Sequence, residues 1–170
     1  PSRRGETASV ESALARHRRL ARIDLPGTLE GGDVLWAGGR FFIGLSVRTN
    51  EDGALQLGRI LESCGYSWTA VPVEKGLHLK SFVNTLGGRT LVVASRFEGR
   101  EFFRSFDRIV LDPGDDYAAN TLWVNGTLLV PRGFPRALEK YAGLGLPLIE
   151  VDTSEMRKMD GGLTCLSLRF

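Results

Sequence analysis

The chain has 170 residues, of which 25% are charged and 42% hydrophobic, and its formal net charge is +2. That balance describes one globular domain or a large piece of one. The small charge gives no reason to expect nucleic acid as a partner. No apolar run is long enough to span a bilayer, and the opening "PSRRGETASV" lacks the apolar core of a signal peptide. The two cysteines, Cys64 and Cys165, make no disulfide framework and read as reduced thiols of a cytoplasmic protein. Together with two histidines, His17 and His78, they are too few to suggest a zinc cluster.

In chain order, the stretch from Thr7 to Arg19 has helical spacing, with Glu and Arg on its polar face. "ARIDLP" reads as a strand ending at Pro26. "GGDVLWAGGRFFIGLS" holds two apolar runs around Gly38-Gly39, a hairpin signal. "TNEDGALQLGRILESCG" predicts a helix that stops near Gly65, and "YSWTAVPVE" a strand. The pattern then recurs. "HLKSFVNTLGGRTLVVAS" is a second hairpin turning at Gly87-Gly88, followed by a short polar helix and the strand "DRIVLDP". "ANTLWVNGTLLVP" is a third hairpin with the turn dipeptide Asn125-Gly126; "PRALEKYAGLG" is its helix and "LPLIEVD" its strand. "GGLTCLSLRF" opens a fourth unit, with Cys165 on an expected strand.

The chain therefore repeats a hairpin, a helix and a strand. The openings fall near Glu30, His78, Asn120 and Cys165, about 45 residues apart. Such a period suggests units set around an axis, each lending its first strand to the centre, although period alone does not separate a propeller from a solenoid. Three of the openings carry a reactive side chain. A thiolate attacks, an imidazole moves protons, and a carboxylate orients the imidazole or a cationic substrate group. The Gly161-Gly162 step would let backbone approach a ligand. Each residue alone also has a structural reading. A cysteine in an apolar strand is commonly a small buried filler, the reading kept for Cys64, and His17 in "ARHRRLAR" reads as solvated. The joint placement of Glu30, His78 and Cys165 raises the catalytic reading beside the structural one.

At these residues the chain resembles a known family. "LEGGDVLWAGGRFFIGLSVRTNEDGALQL", "LHLKSF" and "MDGGLTCLSLRF" are similar to the dimethylarginine dimethylaminohydrolases of the guanidine-modifying (pentein) superfamily. The resemblance implies an α/β propeller with five blades in the full-length family, of which three and the opening of a fourth are counted here. Residues 1–170 are then expected to be a single catalytic domain, the C-terminal two thirds of that propeller. It implies hydrolysis of a methylated arginine to citrulline and a methylamine, with no cofactor or metal. Cys165 matches the nucleophile, His78 the general acid/base and Glu30 the carboxylate supporting that histidine. Arg48 matches an arginine that holds the substrate's α-carboxylate. Arg3 resembles a second arginine of that clamp, with Arg4 beside it as the alternative. Met159 falls where the family offers a carbonyl to the α-amino group, and Asp160 is expected to help hold that loop.

The family's proteins are longer, and the part preceding this chain is implied to carry acidic residues that grip the guanidinium. The expected partners are accordingly a small methylated-arginine substrate and either self-association or a complementary N-terminal segment. Nucleic acid and membrane are not expected. One alternative is an arginine deiminase or another guanidine-modifying hydrolase. Deiminases typically place Asp two residues after the motif histidine, where this chain has Lys80, which would repel a guanidinium if it pointed inward. A second alternative is a non-catalytic propeller that binds a protein partner.

Overall fold

The first strands of successive repeats lie side by side, and this arrangement decides where the chemistry-bearing residues meet. The computed structural model describes residues 5–74 and 76–166. Among these residues, three three-stranded sheets follow one another. In the first, β1 (Val34–Ala37) pairs antiparallel with β2 (Arg40–Leu45), which pairs parallel with β3 (Ser67–Pro72). The second has β4 (Val83–Thr85), β5 (Thr90–Val93) and β6 (Asp107–Val110), and the third β7 (Leu122–Val124), β8 (Thr127–Pro131) and β9 (Leu148–Val151), with the same pairing. β1 touches β4, and β4 touches β7. The hairpin, helix and strand repeat is thus an α/β propeller arrangement, with each unit's first strand toward the common axis.

The hairpins form where the sequence places them. Gly38 and Gly39 take φ of 57° and 82°, and Asn125 and Gly126 take 50° and 74°. Positive φ at both central residues matches the right-handed twist of the flanking strands, and Gly and Asn adopt it at little cost. Each parallel third strand needs a crossover. In the first unit this is α2 (Glu51–Ser63), capped by Asn50, whose side chain accepts from the Gly53 N–H at 2.9 Å. Such a cap contributes about 1 kcal/mol. Ala54 and Leu61 face the sheet and share a small core with Ile43, while Gly58 leaves room for the Trp68 indole. In the third unit the crossover is α3 (Pro135–Ala142). In the second, two short 3-10 turns, Ser95–Phe97 and Glu101–Phe103, replace a helix. One continuous core, from Leu35 through Val92 and Phe103 to Leu128 and Tyr141, joins the three units.

Two expectations about the first residues fail. The first helix, α1, covers Glu6–Leu14 and ends before the arginine-rich run that follows. It buries no residue, so nothing offsets the repulsion among closely spaced arginines that extension would bring. "ARIDLP" forms no strand. The Gln56 side chain accepts from the Asp24 N–H and donates to the Asp24 carbonyl, both at 2.8 Å, and so meets the needs a sheet ladder would otherwise meet. α4 (Ser154–Arg157) precedes the last described turn. No helix among the described residues is long and apolar enough to cross a membrane.

Candidate active site

Two openings expected to meet do so directly. Glu30 and His78 each precede a 3-10 turn, Gly31–Asp33 and Leu79–Ser81, in extended backbone. Across 48 residues of sequence, His78 Nε2 and Glu30 Oε2 come to 2.7 Å. An ionised carboxylate only accepts, so Nε2–H donates to it and Nδ1 is left for chemistry. Gly32 makes this approach possible, since a Cβ there would lie 2.5 Å from His78 Cγ. The glycines of "EGGD" thus serve a side chain rather than a turn alone.

Asp33, the last residue of "EGGD", has no role predicted from sequence. It is fully buried. Its Oδ1 accepts from the Leu79 N–H at 2.9 Å, and its Oδ2 from the Thr49 and Ser46 hydroxyls at 2.7 and 2.8 Å. The carboxylate therefore ties the residue after His78 to the first unit. It also fixes the loop that carries Arg48, whose N–H donates to Ser46 Oγ at 3.0 Å. An aspartate that ends an otherwise glycine-rich turn before an apolar strand was the available signal. A buried carboxylate with three donors is one whose desolvation is met by hydrogen bonds.

Arg48, expected to hold a substrate carboxylate, has its Nη1 3.6 Å from Glu30 Oε1. Its guanidinium is largely exposed and lies beside the imidazole pair. Lys80 is half-buried. Burial holds its ammonium below the ordinary lysine range, and the charges of Cys165 and Asp33 pull it partly back up. Cys165 thus lies within electrostatic reach of the 3-10 turn that follows His78. The thiol is exposed and free, as is that of Cys64 at the C-cap of α2, so the buried-filler reading of Cys64 fails.

The segment around Cys165 departs from expectation. Leu163–Leu166 is a 3-10 turn, not a strand, with the Cys165 N–H donating to the Gly162 carbonyl at 3.0 Å. The Thr164 N–H is taken by Asn120 Oδ1 at 3.1 Å and is not available for a sheet ladder. Gly162, expected to admit a ligand, packs against the Asn120 side chain instead. Met159 is 87% exposed. Asp160 sits at φ 55° with its N–H on the Arg157 carbonyl at 3.2 Å. Arg3 and Arg4 lie outside the described residues. No group of metal-ligating side chains occurs among the described residues.

No family model matches the chain. Among curated proteins, it is 46% identical over 171 residues to N(G),N(G)-dimethylarginine dimethylaminohydrolase of Pseudomonas aeruginosa, covering 99% of this chain and 67% of that one. The chain belongs to the dimethylarginine dimethylaminohydrolase family. It is 38% identical to the Streptomyces coelicolor dimethylarginine dimethylaminohydrolase, over 99% of this chain and 65% of that one. It thus spans about two thirds of the length of these members. A solved structure of the Pseudomonas aeruginosa enzyme, a cysteine-to-serine mutant complexed with citrulline, superposes with a TM-score of 0.96 at 46% identity, over 99% of this chain and 67% of that one. A cyanobacterial arginine dihydrolase superposes at 0.88 with 20% identity, over 98% of this chain and 29% of that one, a likeness of fold alone. These superpositions agree with the α/β propeller reading of the three described units.

Proposed function

We propose that this chain carries the cysteine, histidine and glutamate of a hydrolase that cleaves the guanidino C–N bond of an N-ω-methylated arginine. The Cys165 thiolate attacks the guanidinium carbon and forms a tetrahedral adduct. His78 gives a proton to the departing methylamine as its C–N bond breaks, leaving an S-alkylthiouronium on Cys165. His78 then takes a proton from water, the resulting hydroxide attacks the same carbon, and the C–S bond breaks to release citrulline and restore the thiolate. Water is the co-reactant and the reaction balances without a redox partner. Glu30 orients the imidazole and stabilises its protonated form. Arg48 holds the substrate α-carboxylate, which suits a bidentate guanidinium fork, and Arg3 completes that clamp. The Met159 carbonyl takes the α-amino group, with Asp160 shaping its loop. The bound guanidinium, itself a cation, favours the thiolate when substrate arrives.

The observation that carries this reading is the 2.7 Å Glu30–His78 hydrogen bond, formed between two propeller units whose sequences have no local reason to meet. Residues 1–170 supply three units and the opening of a fourth of a five-bladed catalytic domain. Its partners are the small methylated-arginine substrate and either a second copy of this chain or a complementary N-terminal segment, and it acts in the cytoplasm. Lys80, standing where deiminases typically place Asp, favours this reading over the deiminase one. The full-length protein should release citrulline together with dimethylamine from dimethylarginine, and little citrulline from free arginine. Equal citrulline from free arginine would transfer the protein to the deiminases, and binding of neither would favour the non-catalytic propeller.

A further inference from the structure

The third repeat opening, Asn120, is the one with no reactive side chain. Its environment gives it a different task. Asn120 is nearly buried. Its Oδ1 accepts twice from the residue before the cysteine, from the Thr164 N–H at 3.1 Å and from the Thr164 hydroxyl at 3.2 Å. The backbone two residues further back lies flat against the same carboxamide, and a Cβ on Gly162 would lie 2.5 Å from both Asn120 Cγ and Nδ2. One side chain therefore touches the nucleophile loop at Gly162 and Thr164, on the approach to Cys165.

Asn120 is itself anchored. It ends the 3-10 turn Asp116–Ala119, and its N–H donates to the Tyr117 carbonyl at 3.0 Å. The Tyr117 hydroxyl donates to the Gly161 carbonyl at 2.8 Å, and the Arg157 guanidinium covers the Tyr117 ring at 4.8 Å. Buried hydrogen bonds lock the turn from two further sides. The Tyr141 hydroxyl donates to the Ala118 carbonyl at 2.7 Å, and Asn84 Nδ2 donates to the Ala119 carbonyl at 2.8 Å. The same Asn84 amide group donates to the Lys80 carbonyl at 2.7 Å, on the turn that follows His78. Asp33, Asn84 and Asn120 thus form a relay of polar side chains, each bonded to the backbone of the next unit's 3-10 turn.

We propose that Asn120 is the positioning residue for the nucleophile, fixing the Cys165 turn against the rigid turn that, through Asn84, also holds the backbone beside His78. The inference rests on the Cys165 reading above. Its chemistry is geometric. A thiolate must meet the guanidinium carbon along a narrow approach, and a displacement of about 1 Å costs on the order of 10²-fold in rate. A carboxamide oxygen is suited to the task because it accepts two bonds without a charge that would oppose the thiolate.

The test uses the full-length protein and two readouts, steady-state turnover of dimethylarginine and hydrogen exchange of the peptide containing residues 161–166. Asn120→Leu keeps the branched shape, with somewhat more bulk, and removes the acceptor. It should lower kcat by about 10²-fold, change KM by less than about threefold, and speed exchange in that peptide. Asn120→Asp keeps an acceptor at the same place and should restore protection, while its added charge, which opposes the thiolate, should leave kcat below that of the parent. If Asn120→Leu does not fold, Gly162→Ala reaches the same contact from the other side and should reproduce the kcat loss and the faster exchange. Unchanged exchange in the folded variant would overturn the proposal. So would faster exchange with kcat within about threefold of the parent. Full turnover by Cys165→Ser would instead remove the nucleophile reading, while leaving the exchange measurement to report on the Asn120 contact.

Discussion

The two sides of the site are built differently. The His78 side is set by buried groups. Asp33 is fully buried with three donors, Gly32 lies against the imidazole, and Glu30 closes on Nε2 at 2.7 Å. The Cys165 side is a short 3-10 turn with an exposed thiol, held to the fold through Asn120 and Tyr117. His78 is over-determined, whereas Cys165 depends on a few side-chain contacts. Under the proposed reaction, a preorganised imidazole with a more weakly held sulfur leaves part of the ordering to the bound substrate.

The largest effect should come from the sulfur itself. Cys165→Ser should lower citrulline formation by at least about 10⁴-fold while leaving dimethylarginine binding, read by calorimetry, nearly unchanged. Next comes the rigid side. Gly32→Ala drives a methyl group into the His78 ring and should lower kcat by about 10²-fold, since the ring must leave either Glu30 or its working position. A Gly32→Ala enzyme with normal kcat would show that the base side tolerates displacement, and the contrast between the two sides would fall.

Much of this was legible in the sequence because it is local. The three hairpins followed from paired glycines and Asn-Gly between apolar runs. The meeting of Glu30 and His78 followed from their equivalent places in the repeat, just before a first strand. Other features were not legible because they arise from contacts between units. Asp33 looked like the end of a turn until the Leu79 N–H reached it from the second unit. "LTCLSLRF" has strand-forming residues, yet the Asn120 carboxamide takes the Thr164 N–H and the described part winds into a 3-10 turn. "ARIDLP" likewise lost its strand to a glutamine side chain 32 residues away.

Arg48 can sharpen the contrast because it lies between two roles. It faces Glu30 Oε1 at 3.6 Å on an exposed surface, where an ion pair is worth less than about 1 kcal/mol. If its task is to hold the substrate α-carboxylate, Arg48→Ala should raise KM by about tenfold and lower kcat by less than about threefold. A fall in kcat with KM unchanged would move Arg48 to the support of Glu30 and add another member to the over-determined side.

The smallest effect tests the charge between the two sides. Lys80 has a folded pKa below its ordinary value of 10.5, chiefly through burial. Between the two values the unfolded chain binds more protons than the folded one, so stability rises with pH through that window. Below it both states hold the proton and the cost of burying the ammonium is present in full. Lys80→Met has no such group. Urea midpoints taken from neutral pH up to pH about 10.5 should therefore show the parent gaining on Lys80→Met as the pH rises. The same comparison in a Cys165→Ser background should show a larger gain, because the thiolate that helps keep Lys80 charged has been removed. Parallel midpoint curves for the two proteins would mean that the Lys80 ammonium reaches solvent, and would detach it from both the sulfur and the buried Asp33.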